Sequence, residues 1–153
     1  MSEALFEAIS QGDVDGVRAA LAAGARVHGS NARGRTPLFQ AVGHKHRAVV
    51  ELLLAAGADP ASGLLAALMS RNDDLARMLV EHGFALDTRL TENGQTLLHA
   101  ACDAGMDELA RYLVERTVID VHATTDDGRT ALVYAEDLGL SVARLLRERG
   151  VAG

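Results

Sequence analysis

Between Asn31 and Asp59 the chain reads NARGRTPLFQAVGHKHRAVVELLLAAGAD, and its apolar positions fall into two helical sets. Leu38, Ala41 and Val42 recur at i, i+3 and i+4, which puts them on one helix face. Thr36-Pro37 marks the start of that helix. Thr accepts from the free backbone N–H groups of a first turn, and Pro suits the first helical position. Gly43-His44 is expected to break it. A second helix begins near His46 and is expected to bury Val49, Val50, Leu52, Leu53 and Leu54. Gly57 stops it, because glycine takes the left-handed cap conformation at little cost. One such pair is too small to bury its own apolar faces and needs copies beside it.

The helix-stopping glycines set the spacing of the copies. Gly24 to Gly57 is 33 residues, Gly57 to Gly83 is 26, and Gly83 to Gly150 is 67, room for two more units. The chain therefore divides into units at about 1–30, 31–60, 61–90, 91–124 and 125–153 of a single domain, 1–153. In unit one Leu5, Ala8 and Ile9 face inward, Gly12-Asp13 turns the chain, and Val14, Val17, Ala20 and Leu21 carry the second helix. In unit three Leu64, Ala67 and Leu68 take the places of Leu38, Ala41 and Val42. Unit four reads TLLHAACDAGMDELARYLVERT and unit five TALVYAEDLGLSVARLLRERG.

Three segments carry a resemblance: Gly34-Arg-Thr-Pro-Leu38 with LLLAAGAD, Gly94-Gln-Thr-Leu-Leu-His-Ala-Ala101, and Asp127-Gly-Arg-Thr-Ala-Leu132 with LLRERG. Through them the chain resembles the ankyrin repeat family over nearly its whole length. The resemblance implies an all-α solenoid of about five stacked helix pairs. Short β-hairpin-like fingers project between units, and fingers and first helices form a concave face. Several departures stand out. The 26-residue step implies a truncated finger between units two and three. Unit three lacks the Thr-Pro-Leu opening, and unit four ends in Thr117 with about one extra residue in the finger that follows. Unit five is one residue short between its helices. Terminal repeats turn one face to water, as Ser2, Glu3, Glu7 and Gln11 do at one end and Arg144, Arg147, Glu148 and Arg149 at the other.

Composition narrows the function. Charged residues make up 24% and hydrophobic ones 48%, which suits a folded chain. The net charge of −6 falls wholly after residue 60, since residues 1–60 hold six basic and six acidic side chains. Such a balance argues against general nucleic-acid binding, which needs a basic surface. Arg33, Arg35, Lys45 and Arg47 still make a local positive patch. Cys102 is the one cysteine, so no internal disulfide forms. The opening MSEALFEAIS has no basic-then-apolar targeting pattern and no apolar run reaches membrane length, so a cytoplasmic protein is expected. Plentiful Arg and Ala beside a lone lysine suit a high-GC bacterial gene.

Candidate chemistry is thin. His99, Cys102 and Asp103 share a helix face at i, i+3 and i+4, the spacing of a nucleophile–base pair or a metal half-site. The structural alternative is stronger: His99 stands in the family's Thr-x-Leu-His motif, and Cys102 fills the small apolar slot of Val42. His44 and His46 flank Lys45 and are expected to point to different sides of an exposed turn. His28 and His122 occupy matching finger positions, and His82 sits in a last helical turn. Asp73-Asp74 is expected to cap the second helix of unit three, and Asp126-Asp127 to shape a finger tip. Met78 and Met106 read as core, whereas Met69 falls on an outward position. No phosphate loop is present, and neither metal nor cofactor is expected.

What remains is surface. The family's binding positions, carried over onto this chain, are Arg33, Arg35, Phe39 and His44 in unit two and Met69 and Ser70 in unit three. Asn93, Gln95 and Asp103 follow in unit four, and Asp127, Arg129 and Asp137 in unit five. Phe39 replaces the family's usual His. The implied function is a non-catalytic module, monomeric when free, that binds another protein through its concave face, with neither nucleic acid nor membrane as partner. A narrower alternative is a bacterial immunity or inhibitor protein that neutralises a toxin or enzyme. A third is a thiol enzyme using Cys102 and His99.

Overall fold

A computed structural model describes residues 2–153; residue 1 and the side chain of Ser2, both assigned above to unit one, lie outside the described residues. Among the described residues there are ten helices and no strand. The helices come as five successive pairs: α1 (Ser2–Gln11) with α2 (Val14–Ala22), α3 (Pro37–Gly43) with α4 (Arg47–Ala55), α5 (Ala61–Met69) with α6 (Asp73–Glu81), α7 (Leu97–Asp103) with α8 (Asp107–Arg116), and α9 (Ala131–Asp137) with α10 (Val142–Glu148).

The pairs fall into two compact halves. The first comprises residues up to Ser70 together with Met78–Phe84; the second comprises Arg71–Arg77 and Ala85–Gly153. In the first half α3 packs against α1, α4 and α5, and α2 against α1 and α4. Leu5, Ile9, Leu38, Ala41, Val42, Val49, Val50 and Leu53 form its dry interior. Leu52 is only half-buried while Leu54 is buried, so the inward arc of α4 is narrower than the run of leucines suggests. Leu68 is likewise half-buried. On α2 only Val17 is fully covered; Val14, Ala20 and Leu21 lie at the margin of this first pair. In the second half α7 and α9 pack together, with α8 and α10 behind them, around Leu98, Ala101, Cys102, Leu109, Leu113, Leu132 and Leu146.

Local chemistry fixes the ends of the helices. The Thr36 hydroxyl oxygen accepts from the Phe39 N–H at 3.1 Å, with Pro37 at the first helical position. Helix α3 ends at Gly43, but the reversing residue is Lys45, at φ +61°. Arg71 does the same at φ +50°, where the other pairs have Gly12, Gly105 and Gly139. A side chain in the left-handed region costs about 1–2 kcal/mol, and glycine's extra unfolded-state entropy offsets about 0.5–1 kcal/mol of any relief. Lys45→Gly and Arg71→Gly are therefore expected to stabilise the chain by about 0.5 kcal/mol each, read from urea unfolding midpoints. A lower midpoint in both would contradict this account of the turn.

The left-handed Lys45 also corrects the expectation for its flanking histidines. Breaking the helix between them lets the His44 and His46 rings stack, 5.9 Å apart and 10° from parallel. His44 is exposed, but His46 is half-buried, its Nε2 3.2 Å from the Ser10 carbonyl and its ring over Gly12.

Side chains also cap across repeats. Asn72, not Asp73-Asp74, caps α6: its Oδ1 accepts from the Leu75 N–H at 3.0 Å. Asp73 reaches instead to α8, where Oδ2 accepts from the Leu109 N–H at 2.8 Å. Asp107 repeats the arrangement one pair on, accepting from the Val142 N–H at 2.9 Å and from the Ser141 hydroxyl. Each carboxylate thus satisfies an orphan donor at a positive helix end.

Three fingers connect the pairs, each closed by a backbone hydrogen bond. Asn31 N–H donates to Arg35, Leu90 to Gln95, and Thr125 to Arg129. Ahead of α5 there is none. Asp59-Pro60 leads straight into the helix, with the Ala61 N–H donating to the Asp59 carboxylate at 3.0 Å. Thr117 ends α8 in an extended conformation, its hydroxyl donating to the Leu113 carbonyl, and the extra residue Val118 is 95% exposed. The residue missing from unit five is missing from its second helix: Gly139 to Gly150 is 11 residues, against 12 from Lys45 to Gly57 and from Arg71 to Gly83.

Candidate functional site

In the second half the polar groups with the most distinctive chemistry hold fingers in place. His99 is 1% exposed. Its Nδ1 accepts from the Thr96 N–H at 3.1 Å, and the Thr96 hydroxyl oxygen lies 2.9 Å away, a reciprocal cap at the start of α7. Nε2 therefore carries the proton and donates to the Arg129 carbonyl at 3.1 Å, tying α7 to the base of the last finger. Burial holds this imidazole below the ordinary 6.5, against the opposing pull of the Arg129 carbonyl.

Both ring nitrogens are thus engaged, and neither is offered to Cys102. The thiol is fully buried, and loss of solvation, reinforced by Asp107 and Asp103, pushes it up to about 12. A nucleophilic cysteine needs the opposite setting. In native buffer Cys102 is expected to stay unmodified by a thiol reagent and to react only on unfolding; rapid labelling of the folded chain would revive the thiol-enzyme reading. Among the described residues no group of three or more His, Cys, Asp or Glu is placed to hold a metal.

The finger-tip residues of this half are joined to one another. The Asn93 carbonyl accepts from the Asp126 N–H at 2.8 Å, and the Asn93 amide donates to Asp127 at 3.3 Å. The Thr125 hydroxyl also donates to Asp127, and Arg129 lies 3.2 Å from it. Thr125, Asn93 and Arg129 together hold the Asp127 carboxylate below its ordinary 3.8. Gln95 is half-buried, whereas Asp103 and Asp137 stand exposed at the ends of α7 and α9. Arg89 was not legible as a participant. Its guanidinium donates to the Gly94 carbonyl at 2.7 Å and the Thr124 carbonyl at 3.0 Å, bridging two fingers. Only the fold brings those carbonyls together.

In the first half the corresponding surface has a different character. Arg33 and Arg35 project from the finger that precedes α3, and the Arg35 guanidinium lies 5.4 Å from the centre of the Phe39 ring. Phe39 occupies on α3 the place of His99 on α7. It is half-buried and can donate nothing to a following finger. On α5 the same place belongs to Leu65, which is 58% exposed, and one turn on Met69 is 72% exposed. Ser70 turns its hydroxyl back to the Ala66 carbonyl at 2.7 Å. Leu65 was missed by the sequence reading, although LLAALM is apolar on every side, which a helix with a solvent face should not be.

In the second half Asp73, Asp74, Arg77, Glu108, Leu109 and Tyr112 line a groove of about 100 Å³, with the Arg77 guanidinium 4.8 Å from the centre of the Tyr112 ring. That volume is below the size that holds a small organic ligand. No helix among the described residues is long and apolar enough to cross a membrane.

A family model for ankyrin repeats, in three copies, matches residues 2–63 and again residues 64–152. No curated protein matches the chain.

Proposed function

The chain belongs to the ankyrin repeat family, whose repeats are generally protein–protein interaction modules and typically non-catalytic, and on that premise we propose that it is a binding module that grips a partner protein with finger tips and first helices. One observation carries the reading. The groups with catalytic potential, His99 and Cys102, are consumed inside the fold, while side chains on the fingers and first helices stay accessible without any internal role that needs them. Arg33, Arg35, Phe39, His44, Met69, Gln95, Asp103 and Asp137 are of this kind, and they sit on short helices and closed hairpins. Side chains presented from helices and closed hairpins lose less entropy when a partner docks.

The polarity of the two sets differs. Arg33 and Arg35 precede α3, whereas Asp103 and Asp137 end α7 and α9. Each set favours partner groups of the opposite charge. The test is a pull-down from the native host with the wild type and with the Arg35→Asp, Phe39→Ala double variant. We expect partner capture to be lost at unchanged helicity. Capture that persists undiminished would remove this surface from the account.

A further inference from the structure

We infer that the shelf formed by Phe39, Leu65 and Met69 is the docking site for an acidic segment of a partner protein that sets large apolar side chains against α3 and α5. This rests on the binding-module reading and gives its partner a chemistry.

On α7, His99 is covered because a finger follows it and supplies the Arg129 carbonyl for its Nε2 to meet. No finger lies between α4 and α5, and at that interval the chain changes the residue that such a finger would meet. Phe39, in the His place on α3, is the residue a finger there would meet; Leu65 holds the same place on α5, ahead of the next interval, where the Leu90–Gln95 finger is present. A polar group left without its finger would cost nothing exposed to water, so the absence of the finger does not by itself call for apolar replacements. Exposed Leu65 and Met69 are a turn apart on the same helix, and α5 packs directly on α3, which presents Phe39. Three large apolar side chains thus lie on two directly packed helices of the first half, whereas exposed ones elsewhere among the described residues stand singly.

The charge around the shelf selects the occupant. From Asn31 to His46 the chain carries Arg33, Arg35 and Lys45 and no Asp or Glu; from Ala61 to Ser70 it carries no charge at all. Arg33 and Lys45 make no ion pair among the described residues, and the Arg35 guanidinium is spent on the Phe39 ring face. The chain as a whole is acidic, at −6, so a finger and turn carrying only cations are a local inversion. Apolar anchors buried at the centre with charges paired at the rim is how interaction energy is concentrated in protein interfaces. A nucleic acid would find the cations but has no large aliphatic groups to set on Leu65 and Met69.

The probe is a displayed library of random 16-residue peptides selected against the full chain. Enriched peptides should carry Asp or Glu beside two or more of Leu, Ile, Phe, Met and Trp. Against a synthetic peptide from the selection, Leu65→Ser with Met69→Ser should weaken binding by roughly 10-fold or more, as loss of anchor residues does. Arg33→Glu with Arg35→Glu should weaken it similarly and flatten its salt dependence. All four side chains are exposed, so both variants should melt as the wild type does, and Arg18→Glu with Arg144→Glu, on second helices outside the binding surface, should leave binding intact. Peptides lost on Asp103→Lys with Asp137→Lys but indifferent to Leu65→Ser with Met69→Ser would overturn this site and keep the binding-module reading. Selection of no peptide, with no partner captured from the host, would overturn both. A single-stranded oligonucleotide bound more tightly than the peptides through Arg33 and Arg35 would overturn the choice of partner.

Discussion

Replacing His99 with Ala is expected to lower the free energy of unfolding by about 3 kcal/mol, within the range for a broken buried polar network. The side chain is 1% exposed and makes contacts at both ends of the ring. Its removal strands the Thr96 N–H and leaves the Arg129 carbonyl without its donor. Each unsatisfied buried group costs about 1–3 kcal/mol, and the emptied ring volume adds a packing loss. The damage should also be directional. With the Nε2 tie gone, the Thr125–Arg129 finger keeps its internal Thr125 to Arg129 bond but loses its anchor to α7. Urea denaturation measures the total, and amide exchange at Gly128 and Arg129 reports the finger. Unchanged stability would show that the ring is not the tie the geometry makes it.

The same residue gives the fold a pH dependence. Burial lowers the folded pKa of His99 below 6.5, and the unfolded chain titrates near 6.5. Below that value the unfolded state binds a proton that the folded state resists, so stability rises with pH. The contribution is complete above about 6.5 and drains away as pH falls from there toward the folded value. The depressed carboxylate of Asp127 acts only below its ordinary 3.8 and does not enter this window. Wild-type melting temperatures should therefore fall from pH 7.5 to 5.5, and the fall should be smaller in His99→Gln, whose amide does not titrate. An equal slope in the two proteins would assign the effect to other groups.

How much of this was readable beforehand depends on how local the cause is. The start of α3 was legible in full, because Thr36 and Pro37 act within one turn. The burial of Leu38, Ala41 and Val42 was legible from period alone, and the structural place of His99 and Cys102 from the resemblance to the ankyrin repeat. The missing finger followed from counting between Gly57 and Gly83. The failures lie where the cause is tertiary or breaks a residue preference. Asp73 looks like a cap for its own helix, and only the stacking of pairs shows that it serves α8. Lys45 gives no sign of a left-handed conformation, since lysine does not prefer one. Leu65 stands amid apolar neighbours that give no hint of a solvent face, yet it faces outward. Asn93 and Asp127 are surface residues in sequence and turn out to bond each other. The binding positions the family implies are thus of two kinds, those held by finger-to-finger bonds and those left accessible, and the sequence alone does not separate them.

Gly63 gives the second large effect, and it tests how closely α5 lies on α3. It is buried in the first turn of α5, which follows Asp59-Pro60 with no finger between. A methyl group placed there would lie 2.9 Å from Leu38 Cγ and 3.2 Å from both Leu38 Cδ2 and Val42 Cγ2. Leu38 and Val42 are themselves wholly buried, so they have no open side to retreat to. Two effects oppose each other in Gly63→Ala. Helix propensity favours Ala by about 1 kcal/mol, and overpacking a tight interior costs about 1–3 kcal/mol. Contact below 3 Å with an immobile side chain makes the second larger, so Gly63→Ala should lose about 1 kcal/mol. Gly63→Leu adds three further carbons to the same place and should lose about 3 kcal/mol or more, since α5 must then lift from α3. Urea midpoints for the pair of variants read the series, and Gly43→Ala, where the added methyl meets nothing within 4 Å, supplies the control for propensity alone. A Gly63→Ala protein more stable than the wild type would mean that the two helices are not in close contact at this point, and the shelf that α5 shares with Phe39 would lose its geometric basis.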